Sequence, residues 1–98
     1  FISGMVAIDP ASGESVSGGV TPQAEQVMRN IGAVLGDVGL SYDDIVKTTI
    51  FVTDMNDFAI VNDVYGGYVG ETPPARSTVE VRALPGGFVV EIETIAAR

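Results

Sequence analysis

Few groups in this 98-residue chain can do chemistry, and their setting singles out one arginine. Arg76 lies in Glu71-Thr-Pro-Pro-Ala-Arg-Ser-Thr-Val-Glu-Val81, where a double proline ends the preceding element and a β-type run follows. This puts a guanidinium at the mouth of a strand rather than on a solvated helix face. Its planar fork of donors suits a carboxylate held by two parallel hydrogen bonds. If the chain has a small-molecule site, Arg76 is the best pointer to it.

Strand alternation sets Arg76, Thr78, Glu80 and Arg82 on one face and Ser77, Val79 and Val81 on the other. In the last apolar run, Glu91 and Glu93 share a face with Val89 and Ile95, and an acid flanked by Val89, Val90 and Ile92 is expected to be partly desolvated. The plain structural expectation is an ion pair, Glu91 or Glu93 with Arg76 or Arg82, across neighbouring strands. The functional alternative is that Arg76 binds a substrate carboxylate while a glutamate holds water. Ser3-Gly4 offers a hydroxyl and a backbone amide, or merely lets two strands approach closely. Asn62 falls near the Phe58 side of an apolar helical face, either as a satisfied interface group or as a ligand contact.

Other chemistries are excluded by composition. There is no Cys, hence no disulfide, thiolate nucleophile or thiolate zinc site. There is no His, so the usual general base is missing and Ser-His-Asp or Cys-His catalysis within one chain is ruled out. Lys47, between Val46 and Thr48 in a strand-like run, is the only lysine available for a Schiff base. Gly18-Gly19 has no P-loop lysine or dinucleotide spacing, and the aspartates at 37, 43, 44, 54, 57 and 63 do not repeat a calcium loop. No metal or cofactor is expected. The formal charge of −8, with five basic residues, argues against nucleic acid and anionic membrane surfaces. The apolar runs are too short for a transmembrane helix, and no signal peptide is visible.

The elements that must position these groups read β-α-β-α-β-β, one α+β domain over 1–98. Phe1 to Ile8 is strand-like. Thr21-Pro22 reads as an N-cap and first helical residue, followed by Ala24, Val27, Met28, Ile31, Val34, Leu35 and Val38 on one face, with Gly36 or Gly39 as the end. Ile45–Thr53 is a strand rich in β-branched residues. Asp54–Asp57 caps a second helix whose face carries Phe58, Val61, Val64, Tyr65 and Tyr68, and whose last turn is weakened by Gly66-Gly67. Strands over 75–82 and 88–96 follow, joined by Leu84-Pro-Gly-Gly87. Two helices can cover only one face of a four-stranded sheet. The uncovered face, carrying Thr48, Ile50 and Val52 or their alternates, points to a homo-oligomer.

Taken together, these segments resemble the RidA (YjgF) family of enamine/imine deaminases. The matching pieces are Phe1-Ile-Ser-Gly4, Asp9–Glu14, Asp44–Val52, Asp54–Phe58 with Val61-Asn62, Pro74–Val81 and Val90–Ala96, in family order over the chain. Pro-Ala-Arg-Ser followed by Glu-Ile-Glu is the family's signature. The resemblance implies a chorismate-mutase-like fold, two helices on one face of a mixed sheet, assembled as a cytoplasmic homotrimer with sites in the clefts between subunits. It implies a cofactor-free hydrolase acting on non-peptide C–N bonds, which removes reactive 2-aminoacrylate-type enamines and imines (2-iminobutanoate, 2-iminopropanoate) as 2-keto acids and ammonia. By the same resemblance Arg76 is the carboxylate clamp and Glu91 orients the attacking water, while Ser3, Gly4, Asn62 and Phe58 lie near the ligand.

The chain departs from the pattern in three places. It begins a hairpin strand later than typical members, so the family's N-terminal strand and its cleft tyrosine are expected to be missing. Met5 stands where glutamine is common, and Thr78 where many members have cysteine. The other function class is a binding module that holds carboxylic or keto acids in the same cleft without turning them over. Retaining Glu91 beside Arg76 favours the enzyme. Ribonuclease activity, also attached to this family, fits poorly with the charge.

Overall fold

The computed structural model describes residues 1–98. It contains β1 (Ile2–Met5), α1 (Val20–Asp37), β2 (Ile45–Val52), α2 (Phe58–Val69), β3 (Ala75–Glu80) and β4 (Val90–Ala96), with short 3-10 turns before β2, α2 and β4. The element order read from the sequence is therefore observed. The four strands form one mixed sheet in the order β1-β4-β2-β3. β2 pairs in parallel with β3 and antiparallel with β4, and β1 pairs antiparallel with β4. β2 and β3 run parallel because α2 carries the chain back between them, a connection that two-residue turns cannot make.

Both helices pack on the same face, and the core lies between them and the sheet. Val27, Met28, Ile31 and Leu35 from α1, and Val61, Tyr65 and Val69 from α2, meet Ile50, Val52, Val90 and Ile92. Thr48, Ile50 and Val52 therefore point inward, and it is their alternates Lys47, Thr49 and Phe51 that occupy the uncovered face. Two positions of the apolar pattern fall outside the buried stripe: Val34, 39% exposed, flanks it beside the buried Leu35, and Val38, 64% exposed, is already the C-cap of the helix.

The start of α1 also differs from the expected Thr21 cap. The helix begins at Val20 behind Gly19, with no side-chain cap. Gly18 and Gly19 both take positive φ, 105° and 95°, and swing the chain into the helix two residues early. Pro22 then falls inside the first turn, where its missing N–H has no intrahelical partner to lose. At the other end Gly39, at φ 75°, donates to the Gly36 carbonyl while Leu40 donates to Leu35, the two bonds of a Schellman cap. Gly66-Gly67 lies in the last turn of α2, which runs to Val69 and stops at Gly70.

Candidate functional site

Arg76 is delivered by local sequence on both sides. Pro73-Pro74 keeps the chain extended, and β3 starts at the next residue. Across the gap, Asp54 accepts from the Asn56 amide at 2.9 Å and caps the turn that launches α2 at Phe58. Phe58, Asn62 and Tyr65 then follow at steps of four and three, one helical face directed at one guanidinium. Arg76 Cζ lies 5.4 Å from the Phe58 ring centroid and 5.6 Å from that of Tyr65. Both are cation–π distances. Arg76 Nη1 donates to Asn62 Oδ1.

Beneath the guanidinium, the buried Tyr65 hydroxyl donates to Thr48 Oγ1 at 2.9 Å, and Thr48 is the register partner of Arg76 on β2. Burial pushes the Tyr65 phenol above its ordinary value of 10.0, against the opposing pull of the Thr48 bond and the Arg76 charge. The hydroxyl is thus a neutral donor at physiological pH. A cavity of about 440 Å³ opens beside this group, lined by Asn62, Tyr65, Gly66, Val69, Pro74 and Arg76 among others. Two residues along β3, the Thr78 hydroxyl is buried without a hydrogen-bond partner.

Arg76 has no acidic partner within the chain, whose single ion pair is Arg29–Glu25 at 3.8 Å. The cross-strand pair expected between Glu91 or Glu93 and Arg76 or Arg82 does not form. β2 lies between β3 and β4, separating the two rows by two strand spacings, roughly 10 Å. The faces differ as well. Arg76 shares the helix-covered face with Thr48, whereas Glu91 is registered with Phe51 and Glu93 with Thr49 on the open face.

Glu91 forms a second cluster with Gly4. A Cβ built on Gly4 would collide with Glu91 Oε2 and lie 2.7 Å from its Cδ, so only glycine lets the half-buried carboxyl rest against β1. Ser3 lines an open-face cavity of about 300 Å³ with Lys47, Thr49, Glu93 and Ile95. Lys47 Nζ donates to Ser77 Oγ at 3.0 Å. Nowhere do three or more metal-capable acids gather.

Of the residues singled out from sequence, the structure thus brings together Arg76, Asn62 and Phe58, and separately Glu91 and Gly4, with Ser3 on the adjoining strand. It does not join the two groups within one chain. Tyr65 and Thr48 are additions to the Arg76 group. Tyr65 reads as an ordinary apolar-face residue unless its spacing from Phe58 and Asn62 is set against the arginine.

A family model described as Endoribonuclease L-PSP, the RidA/YjgF family, matches residues 1–98. The chain belongs to the RidA/YjgF family. Among RidA relatives, Protein DfrA of Myxococcus xanthus is 54% identical over 96 residues, covering 98% of this chain and 73% of that protein. The 2-iminobutanoate/2-iminopropanoate deaminase of Mus musculus is 46% identical over 98 residues, 100% of this chain and 73% of that protein. Among solved RidA-like structures, E. coli TdcF with bound serine superimposes at a TM-score of 0.90 with 41% identity, covering 98% of this chain and 77% of that one. The RidA architecture of two helices on a four-stranded mixed sheet is the one described above. No helix is long and apolar enough to cross a membrane.

Proposed function

We propose that this chain hydrolyses 2-iminobutanoate- and 2-iminopropanoate-type imines to 2-keto acids and ammonia, in clefts between the subunits of a homotrimer. Arg76 clamps the substrate carboxylate, and Glu91 orients water and moves its proton. The observation that carries this reading is the state of Arg76: a guanidinium without an acid of its own, steadied by Asn62, Phe58 and Tyr65 at a cavity wall. Asn62 engages Nη1, which leaves the Nη2–Nε edge for a bidentate carboxylate. The deaminase-named mouse relative supports the reaction class.

The imine carbon is already electrophilic, so neither a covalent nucleophile nor a Lewis acid is required. Water adds to that carbon, Glu91 takes its proton, and the nitrogen leaves as ammonia after protonation, giving the 2-keto acid. Arg76 and Glu91 lie on opposite faces of one sheet, so one subunit's clamp must act with another's glutamate. Ser3 and Gly4 belong to the glutamate half of such a cleft, and Phe58 and Asn62 to the arginine half.

The second reading, a module that binds carboxylic or keto acids without chemistry, needs only the Arg76 half. The bound serine of E. coli TdcF, a carboxylate-bearing molecule, is compatible with it. Generating 2-iminobutanoate in situ with an amino-acid oxidase and following its loss separates the two. Acceleration by the wild type but not by Glu91→Gln is expected for the enzyme. Binding of 2-oxobutanoate without acceleration of imine loss would leave the binding module, and an Arg76→Ala variant as active as wild type would end both readings.

A further inference from the structure

We propose that Tyr65 is a positioning residue for Arg76, acting through its buried hydrogen bond to Thr48. The inference rests on the reading of Arg76 as the carboxylate clamp and extends it to residues that touch no substrate atom in that scheme. Three contacts close a loop. Strand pairing sets Thr48 beside Arg76. The Tyr65 hydroxyl reaches Thr48 Oγ1 at 2.9 Å. The Tyr65 ring returns to the guanidinium at 5.6 Å. Each member is thereby located by the other two.

A phenylalanine would fill the same volume, so packing alone does not call for the hydroxyl. Burying a phenol is unfavourable unless it is bonded, and Thr48, wholly buried, is its one hydrogen-bond partner. That bond fixes the ring's position between α2 and β2. The ring is the firmer of the two aromatic supports, since Tyr65 is 3% exposed and Phe58 37%. Asn62 holds one guanidinium nitrogen but not the tilt of its plane. A long arginine side chain must otherwise be ordered when ligand arrives, and a clamp held in advance binds more tightly for that reason.

The test uses the full-length chain, with Tyr65→Phe, Thr48→Val, the double variant and Thr48→Ser, beside Arg76→Ala. Turnover of 2-iminobutanoate and calorimetric binding of 2-oxobutanoate are both read, with circular dichroism and thermal melts to verify folding. Tyr65→Phe and Thr48→Val are each expected to raise KM and the 2-oxobutanoate Kd about 5- to 10-fold, with kcat within about two-fold, the split expected for lost ground-state positioning. The double variant should be no worse than the weaker-binding single, because both remove the same bond. Thr48→Ser, which returns the hydroxyl, should recover most of the loss. Additive losses in the double variant, or unchanged KM and Kd in folded single variants while Arg76→Ala loses binding, would overturn the positioning role and leave the clamp standing. An Arg76→Ala variant that binds 2-oxobutanoate normally would overturn clamp and inference together.

Discussion

The two faces of the sheet are built from the same strands and do opposite things. Thr48 and Thr49 are neighbours, yet one is completely buried and bonded to Tyr65 while the other lines an open cavity. On the helix face the chain closes its own core and also gathers the proposed clamp, Arg76 with its aromatic and amide supports. On the open face Glu91, Glu93, Lys47 and Ser3 stand beside Phe51, Val79 and Ile95, the last two 41% and 36% exposed, with no element of the chain above them. The arginine group is therefore fully assembled within one folded chain. The glutamate group lies on the face that no element of the chain covers, the face that the proposed homotrimer would close.

The sharpest way to break this contrast is to mix subunits. Arg76→Ala and Glu91→Gln should each lower kcat/KM on the order of 10²-fold or more, since one removes the proposed clamp and the other the proposed proton acceptor. If the site is shared, refolding the two inactive chains together restores part of the activity. Activity that stays lost in demonstrably mixed oligomers would mean that both groups serve one subunit's cleft.

Stability should divide along the same line. Ile50→Ala, in the fully buried core, is expected to cost about 2–5 kcal/mol in urea unfolding. Thr48→Val strands the Tyr65 hydroxyl and should cost about 1–3 kcal/mol. Thr49→Val, one residue away, should remain within about 0.5 kcal/mol at concentrations where the chain is monomeric. A Thr49 effect as large as that of Thr48 would erase the distinction between the faces.

Gly4→Ala probes the open face more gently. The added methyl displaces the end of a flexible glutamate rather than backbone, so melting should change little while kcat/KM falls about 10-fold from misplacement of the carboxyl. Unchanged activity would detach Glu91's resting position from its role.

The smallest effect is expected at high pH and belongs to the helix side. Burial raises the phenols of Tyr42, Tyr65 and Tyr68 above 10.0, and for Tyr68 the bond it donates to Glu25 adds to the rise. Above pH 10.0 the unfolded chain loses these protons before the folded one does, so it binds fewer. Stability contributed by the neutral phenols is therefore present below that pH and declines as pH rises towards the folded values. Tm should fall as pH rises above 10.0, and Tyr68→Phe should make the fall shallower. An unchanged slope in Tyr68→Phe would show that its bond to Glu25 is too exposed to matter.

Periodicity alone determined a good deal about this chain. The steps of three and four in Ala24–Leu35, the β-branched run around Thr48–Val52 and the prolines before Ala75 act within a few residues of themselves, so element types and order were legible. So was the position of Arg76 at a strand mouth, with Phe58 and Asn62 on one side of the facing helix. Strand order was not legible, because pairing joins residues far apart and no local signal states which strands are neighbours. Only the tertiary structure inserted β2 between β3 and β4, which removed the expected Arg–Glu pair, and set the registers that put Arg76 and Glu91 on opposite faces. It alone also turned Tyr65 from a core aromatic into the floor of the arginine site, since that role depends on a hydroxyl seventeen residues away in sequence and 2.9 Å away in space.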